Sequence, residues 1–242
     1  MVCEYTKQDL ARHEAAHFVA AWAVECPAYH IDITSTARKV SDDDPSMERL
    51  GVTYGQCGDY SPFAEVLSNL AGPVADHWEN DTKQLLERDS KEISRSISLI
   101  GANMSPQSVS DDWYNCILEM CRFGVDILDR NNFTSALSMF IDAVRAILNL
   151  CDVPWREATD YLVEHERIGF YGPNNPRPDD VPPLPAAFKD KPQPDNGEEA
   201  GKFFSRWGGD YGEPPEEVRS CVEKFRAMAQ EKISNVALCH RC

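Results

Sequence analysis

Basic residues are scarce in this 242-residue chain: 24 lysines and arginines face 40 aspartates and glutamates, a net charge of −16. Nucleic acids and anionic membrane surfaces are bound through clustered positive charge, so this imbalance excludes both as main partners. Long apolar runs are missing as well, since none reaches the roughly 18 residues that cross a bilayer. The opening residues Met1-Val2-Cys3-Glu4-Tyr5 lack the basic and apolar regions of a secretory signal. A disulfide framework is not indicated either, because nine cysteines, an odd number scattered through a chain of this size, read as reduced thiols. These absences predict a soluble, cytoplasmic protein whose acidity serves solubility.

What is present suffices for a core. Apolar residues make up 42% of the chain and aromatics 10%, enough for one sizeable domain with appendages or two small ones. Thr6 is placed to cap a helix running to about Glu25, where Pro27 forbids continuation, with Leu10, Ala11, Phe18, Ala21, Trp22 and Val24 as its buried surface. Within that helix His13-Glu14-Ala15-Ala16-His17 spells HExxH. Two histidines four apart share a helical face at about 6 Å, which suits two ligands of one Zn²⁺. Glu14 lies one residue round, where it can reach a metal-bound water without ligating the metal.

Beyond it, Tyr29, Ile31 and Ile33 alternate with His30 and Asp32, the period of a strand. An acidic loop through Asp42-Asp43-Asp44-Pro45 leads to a second short strand around Leu50-Gly51-Val52-Thr53-Tyr54. Ser61-Pro62 opens a helix to about Glu79, with Phe63, Val66, Leu67, Leu70 and Val74 on its apolar side. From Gln84 to about Glu166 the pattern is helical. Ser110 or Asp111 caps one helix carrying Trp113, Ile117, Met120 and Cys121; a second runs through Phe133, Phe140 and Ile147; a third starts at Pro154. Prolines crowd the stretch from Tyr171 to Pro215, and Pro214-Pro215-Glu216-Glu217 then opens a last helix to about Ala237. The expected fold is α+β and mainly helical, with a small β-sheet beside the HExxH helix and a helical bundle behind it. Residues 1–168 form the domain, 169–214 a proline-rich arm, and 215–242 a C-terminal helix and tail.

A catalytic zinc site needs a third protein ligand, with the fourth position left for water. The extended motif HExxHxxGxxH is excluded, because Ala20 and Ala23 stand where it requires glycine and histidine. Glu65, Asp76, His77, Glu79, Glu87 and Asp89 are all chemically competent, and spacing alone does not choose among them.

The motif Ala11-Arg12-His13-Glu14-Ala15-Ala16-His17, then Leu50-Gly51-Val52-Thr53, then Leu70-Ala71-Gly72, resembles the zinc peptidase domain of the FtsH family of AAA+ proteases. The likeness spans roughly residues 8 to 165. It implies a zincin-like fold and makes Zn²⁺ the cofactor, His13 and His17 ligands, and Glu14 the general base. In that family an aspartate roughly 70 residues after the second histidine completes the site, and Asp89 lies 72 residues after His17, so the resemblance assigns it as third ligand. Departures are Ala16 in place of a glycine and the segment Asp81-Thr82-Lys83-Gln84-Leu85-Leu86. No phosphate-binding loop ending in Lys-Ser or Lys-Thr occurs, so the ATPase part of the family has no counterpart here, nor does its membrane anchor.

The implied function is zinc-dependent endopeptidase activity on flexible or unfolded polypeptides, ATP-independent in this chain or aided by an ATPase in trans. The family's rings also imply self-association into a homo-oligomer. The strand at Val52-Thr53-Tyr54 is positioned to pair with an extended substrate. Two other classes stand beside this one: a catalytically silent, zinc-bound interaction module, and a protease regulated by its own proline-rich arm. Cys239-His240-Arg241-Cys242, with Cys221 and His165 nearby, reads as a reduced tail rather than a metal site. Cys116 and Cys121 read as core residues, the stripe of Trp113, Phe123 and Phe140 as packing, His30 as an ordinary polar position, and His77 as the reserve ligand.

Overall fold

Thr6 and Asp9 start the first helix by exchanging bonds. The Asp9 amide donates to the Thr6 hydroxyl at 3.1 Å, and the Thr6 amide donates to the Asp9 carboxylate at 3.0 Å. The helix they open, α1 (Lys7–Ala23), is buried nearly all round: Ala11, Ala15, Ala16, Ala20, Ala21 and Ala23 let neighbouring elements approach closely on several sides. In the computed structural model, which describes residues 6–25, 28–33, 38–39, 48–49, 52–55, 61–104, 111–169 and 214–239, α1 is the central helix. The described residues are mainly helical.

Among the described residues seven further helices follow: α2 (Pro62–Asp76), α3 (Thr82–Arg88), α4 (Ser90–Gly101), α5 (Asp111–Phe123), α6 (Arg130–Leu150), α7 (Asp152–His165) and α8 (Glu216–Cys239). Helix α2 packs along α1 and α5, while α7 covers another side of α1 and α8 lies on α6. Proline at N1 and the Ser61 side chain start α2 as its sequence predicts. It stops at Asp76, three residues short of the expected Glu79. The reason lies in the next turn, where the Asp81 capping box starts α3 and the Arg145 guanidinium donates to the carbonyl oxygens of Trp78 (3.1 Å), His77 (3.2 Å) and Asn80 (2.5 Å). Those bonds satisfy carbonyls of the turn that follows α2 without a further turn of helix.

Extended segments lie beside α1. Strand β1 (Ala28–Asp32) pairs antiparallel with β4 (Val52–Gly55) on one side and β5 (Arg167–Gly169) on the other, with Ile31 opposite Thr53 and Ile168. Ile31 and Ile33 are buried, so the alternation read from their sequence corresponds to a core-facing side. Strand β4 is an edge of this group. A separate pair joins β2 (Arg38–Lys39) to β3 (Glu48–Arg49).

Phe63, Phe123 and Phe140 pack ring to ring at 5.9–6.0 Å and tie α2, α5 and α6 together. Cys116 is fully buried, and burial together with Asp112 and Glu119 pushes its thiol well above the ordinary range, so it is inert core. Trp113 packs in the core as expected and also makes a polar contact described below. Helix α6 has the length and mean hydropathy (1.3) of a bilayer-crossing segment, although no uninterrupted apolar run exists, because the mean tolerates Asp142 and Arg145. It packs against α2 and α8, with Phe133, Leu137, Phe140, Ile141, Val144 and Ile147 buried. Residues 170–213 of the proline-rich arm, the acidic loop at 42–45 and the terminal residues 240–242 lie outside the described residues.

Candidate metal centre

His13 and His17 project from the middle of α1 with their ring centroids 4.8 Å apart. Each ring is held from behind through Nδ1. His17 Nδ1 donates to the Ser68 carbonyl oxygen at 2.6 Å, and because a carbonyl only accepts, this fixes the proton on Nδ1. His13 Nδ1 meets the Asp76 carboxylate at 3.0 Å, where it too is the donor. In their neutral forms both rings would therefore turn lone pairs on Nε2 inward, and those two nitrogens are 3.1 Å apart. Two lone pairs cannot hydrogen-bond to one another.

Asp112, in the first turn of α5, adds a third electron-rich group. One of its oxygens lies 3.2 Å from His13 Nε2 and the other 3.6 Å from His17 Nε2. Two atoms each about 2.05 Å from a zinc ion at a tetrahedral angle are about 3.3 Å apart, close to the 3.1 Å between the two Nε2 atoms and to the distance from each of them to its nearer Asp112 oxygen. His13, His17 and Asp112 thus form a group whose donor atoms could hold one metal ion.

The space in front of the two nitrogens is kept open by Gly72 of α2. A Cβ there would stand 2.3 Å from His17 Nε2 and 2.4 Å from His13 Nε2, closer than real side-chain carbons come. The electrostatics point the same way. Burial disfavours charge on His13, but Asp76 and Asp112 outweigh it and raise its pKa well above the ordinary value. His17 is likewise raised against burial, mainly by Asp112. Burial opposes ionisation of Asp112, yet the two imidazoles hold its carboxyl far below the usual carboxylate range. A buried site that favours added positive charge at three converging donors has the character of a cation site. Glu14, 5% exposed, lies close enough to His17 to favour that ring's charged form.

Of the residues singled out by sequence, His13, His17 and Glu14 come together, whereas Asp89 does not join them. Asp89 stands between α3 and α4, where one carboxylate oxygen pairs with His77 Nε2 and the other accepts from Trp113 Nε1, both at 2.9 Å. The place that family spacing assigned to Asp89 is held by Asp112. Asp76 takes a supporting role through His13 Nδ1, His77 faces Asp89, and Glu79 and Glu87 are exposed. Glu65 lies on α2, its pKa raised by burial and by Glu119.

Sequence reading missed Asp112 although its signal was present. The residue count from His17 pointed to Asp89, whereas Asp112, which also stands at the start of a helix, was not considered. No family model, curated protein or solved structure matches this chain.

Proposed function

We propose that this chain is a Zn²⁺-dependent peptidase of FtsH-like, zincin-type architecture, with His13, His17 and Asp112 as ligands and Glu14 as general base. The observation that carries the reading is the convergence of the two Nε2 atoms, 3.1 Å apart, on the Asp112 carboxylate, whose two oxygens lie 3.2 Å from His13 and 3.6 Å from His17, with both imidazoles tied through Nδ1. Zinc at such a site supplies a Lewis acid that acidifies water and polarises a carbonyl. The chain's own groups do the rest. Asp76 and Ser68 orient the rings so that Nε2 of each faces inward. Glu14, on the same helix, takes a proton from the attacking water and returns it to the departing amine of the cleaved bond. Trp155 Nε1 donates to the Arg12 carbonyl at 3.0 Å, anchoring α1 beside His13. Strand β4, an edge among the described strands in the β4-β1-β5 order, would receive an extended polypeptide by strand pairing. Lacking a nucleotide-binding loop, the chain acts on unfolded or flexible substrates.

The decisive comparison is wild type against Glu14→Gln. The variant is expected to retain about one zinc per chain while losing roughly 10²–10⁴-fold in casein hydrolysis. Equal hydrolysis by both proteins would refute the assignment of Glu14.

A further inference from the structure

Asp89 occupies the N-cap position of α4, where an aspartate ordinarily accepts a bond from its own helix, yet its side chain makes no capping bond. Its two oxygens instead face across to His77 Nε2 and Trp113 Nε1. Each of those partners is the next residue in the chain after a residue of the metal centre. His77 follows Asp76, which holds His13, and Trp113 follows Asp112, which faces both histidines.

We infer that Asp89 is a positioning residue, whose carboxylate clamps the end of α2 to the start of α5 and so fixes Asp76 and Asp112 against the two histidines. This inference rests on the three-ligand reading given above. The indole N–H only donates and Trp113 is 2% exposed, so without Asp89 a buried donor loses its partner and the first turn of α5 loses its lateral stop. On the other side, the His77 turn is already fixed from behind by the Arg145 guanidinium. His77 Nδ1 is buried with no hydrogen-bond partner, so the bond to Asp89 is the ring's polar anchor. The clamp therefore has one rigid jaw at His77 and one at the helix start that carries Asp112. A displacement of a ligand by about 1 Å is large against a metal–ligand bond of about 2 Å.

The test is titration with cobalt(II) alone, followed by visible absorption, on wild type, Asp112→Ala, Asp89→Ala, Asp89→Asn and Trp113→Phe, with circular dichroism to verify folding. Wild type is expected to bind one cobalt with tetrahedral absorption, and Asp112→Ala to lose that signal. Asp89→Ala should keep the ion but bind it about 10–100-fold more weakly with an altered spectrum. Asp89→Asn should recover much of the loss, because its amide oxygen still accepts from Trp113 and its NH₂ can face His77. Trp113→Phe should reproduce part of the weakening, and it carries the test if Asp89→Ala does not fold. Wild-type affinity and spectrum in Asp89→Ala, or in Trp113→Phe where it stands in, would overturn the clamp while leaving the metal centre intact. Loss of cobalt in Asp89→Ala with retention in Asp112→Ala would make Asp89 the ligand and overturn it too. Absence of cobalt binding in wild type would overturn the metal centre and the clamp together.

Discussion

Replacing Gly72 by alanine places one methyl group where the metal centre has no room. The added Cβ would meet His17 Nε2 at 2.3 Å, His13 Nε2 at 2.4 Å and His13 Cε1 at 2.5 Å. Merely to reach 3.0 Å, the limit that real side-chain carbons essentially never cross, the rings must retreat by roughly 0.7 Å. Neither ring is free to do so alone, since His17 is held at 2.6 Å by the Ser68 carbonyl and His13 at 3.0 Å by Asp76. Ser68 and Asp76 lie on α2 itself, so the strain falls on the α1–α2 contact. Overpacking of a buried contact costs about 1–3 kcal/mol. Ring shifts of that size against bonds of about 2 Å should also weaken metal binding by at least about tenfold. Urea unfolding of the metal-free protein measures the first effect, and zinc titration against a chromophoric chelator the second. A Gly72→Ala protein with wild-type stability and zinc affinity would refute the placement of both imidazoles.

Three other outcomes are expected. His77 owes its raised pKa first to the Asp89 hydrogen bond, which with the charges of Asp89 and Asp76 outweighs burial and lifts it above its ordinary value of 6.5. A folded-state pKa above the unfolded one stabilises fully below about pH 6.5 and fades as pH rises through the raised value. The stability difference between metal-free wild type and Asp89→Asn should therefore shrink as pH rises above about 6.5 in urea unfolding, and a flat difference would contradict it. Arg145→Met should cost about 2 kcal/mol or more in the same assay, because three carbonyls lose a charged donor; an unchanged midpoint would remove its role at the end of α2. Val52→Pro should depress casein cleavage while leaving zinc content intact, since it removes an edge-strand amide; unchanged cleavage would exclude β4 as the substrate platform.

Local chemistry was legible in the chain where short-range rules govern it. The Thr6 cap, the Ser61-Pro62 start of α2 and the alternation ending in buried Ile31 and Ile33 follow from neighbours a few residues away. The two histidines belong with these, because helical spacing alone brings them together. Asp112 does not, since its arrival at α1 depends on the packing of α2 against α5, a relation that no periodicity encodes. Trp113 was read correctly as core, but its polar partner was hidden for a related reason. Helical phase predicts a buried face, and Trp113 is buried, but phase says nothing of the indole N–H that reaches Asp89. The early end of α2 was hidden too, because the group that satisfies it, Arg145, is remote in the chain.

The three candidate ligands come from two places far apart in the sequence: His17 and Asp112 are separated by 95 residues. A cation shared between them would be a cross-link in the topological sense, closing a ring of chain that contains α2, α3 and α4. In the chain-entropy model, tying ends across a loop of about 100 residues removes about 4.7 kcal/mol of freedom from the unfolded chain. Among the described residues the cysteines are free, so no disulfide supplies that constraint. Depleting the ion would then act on the denatured ensemble as reduction acts on a disulfide-bonded protein, loosening the whole N-terminal half rather than emptying one pocket.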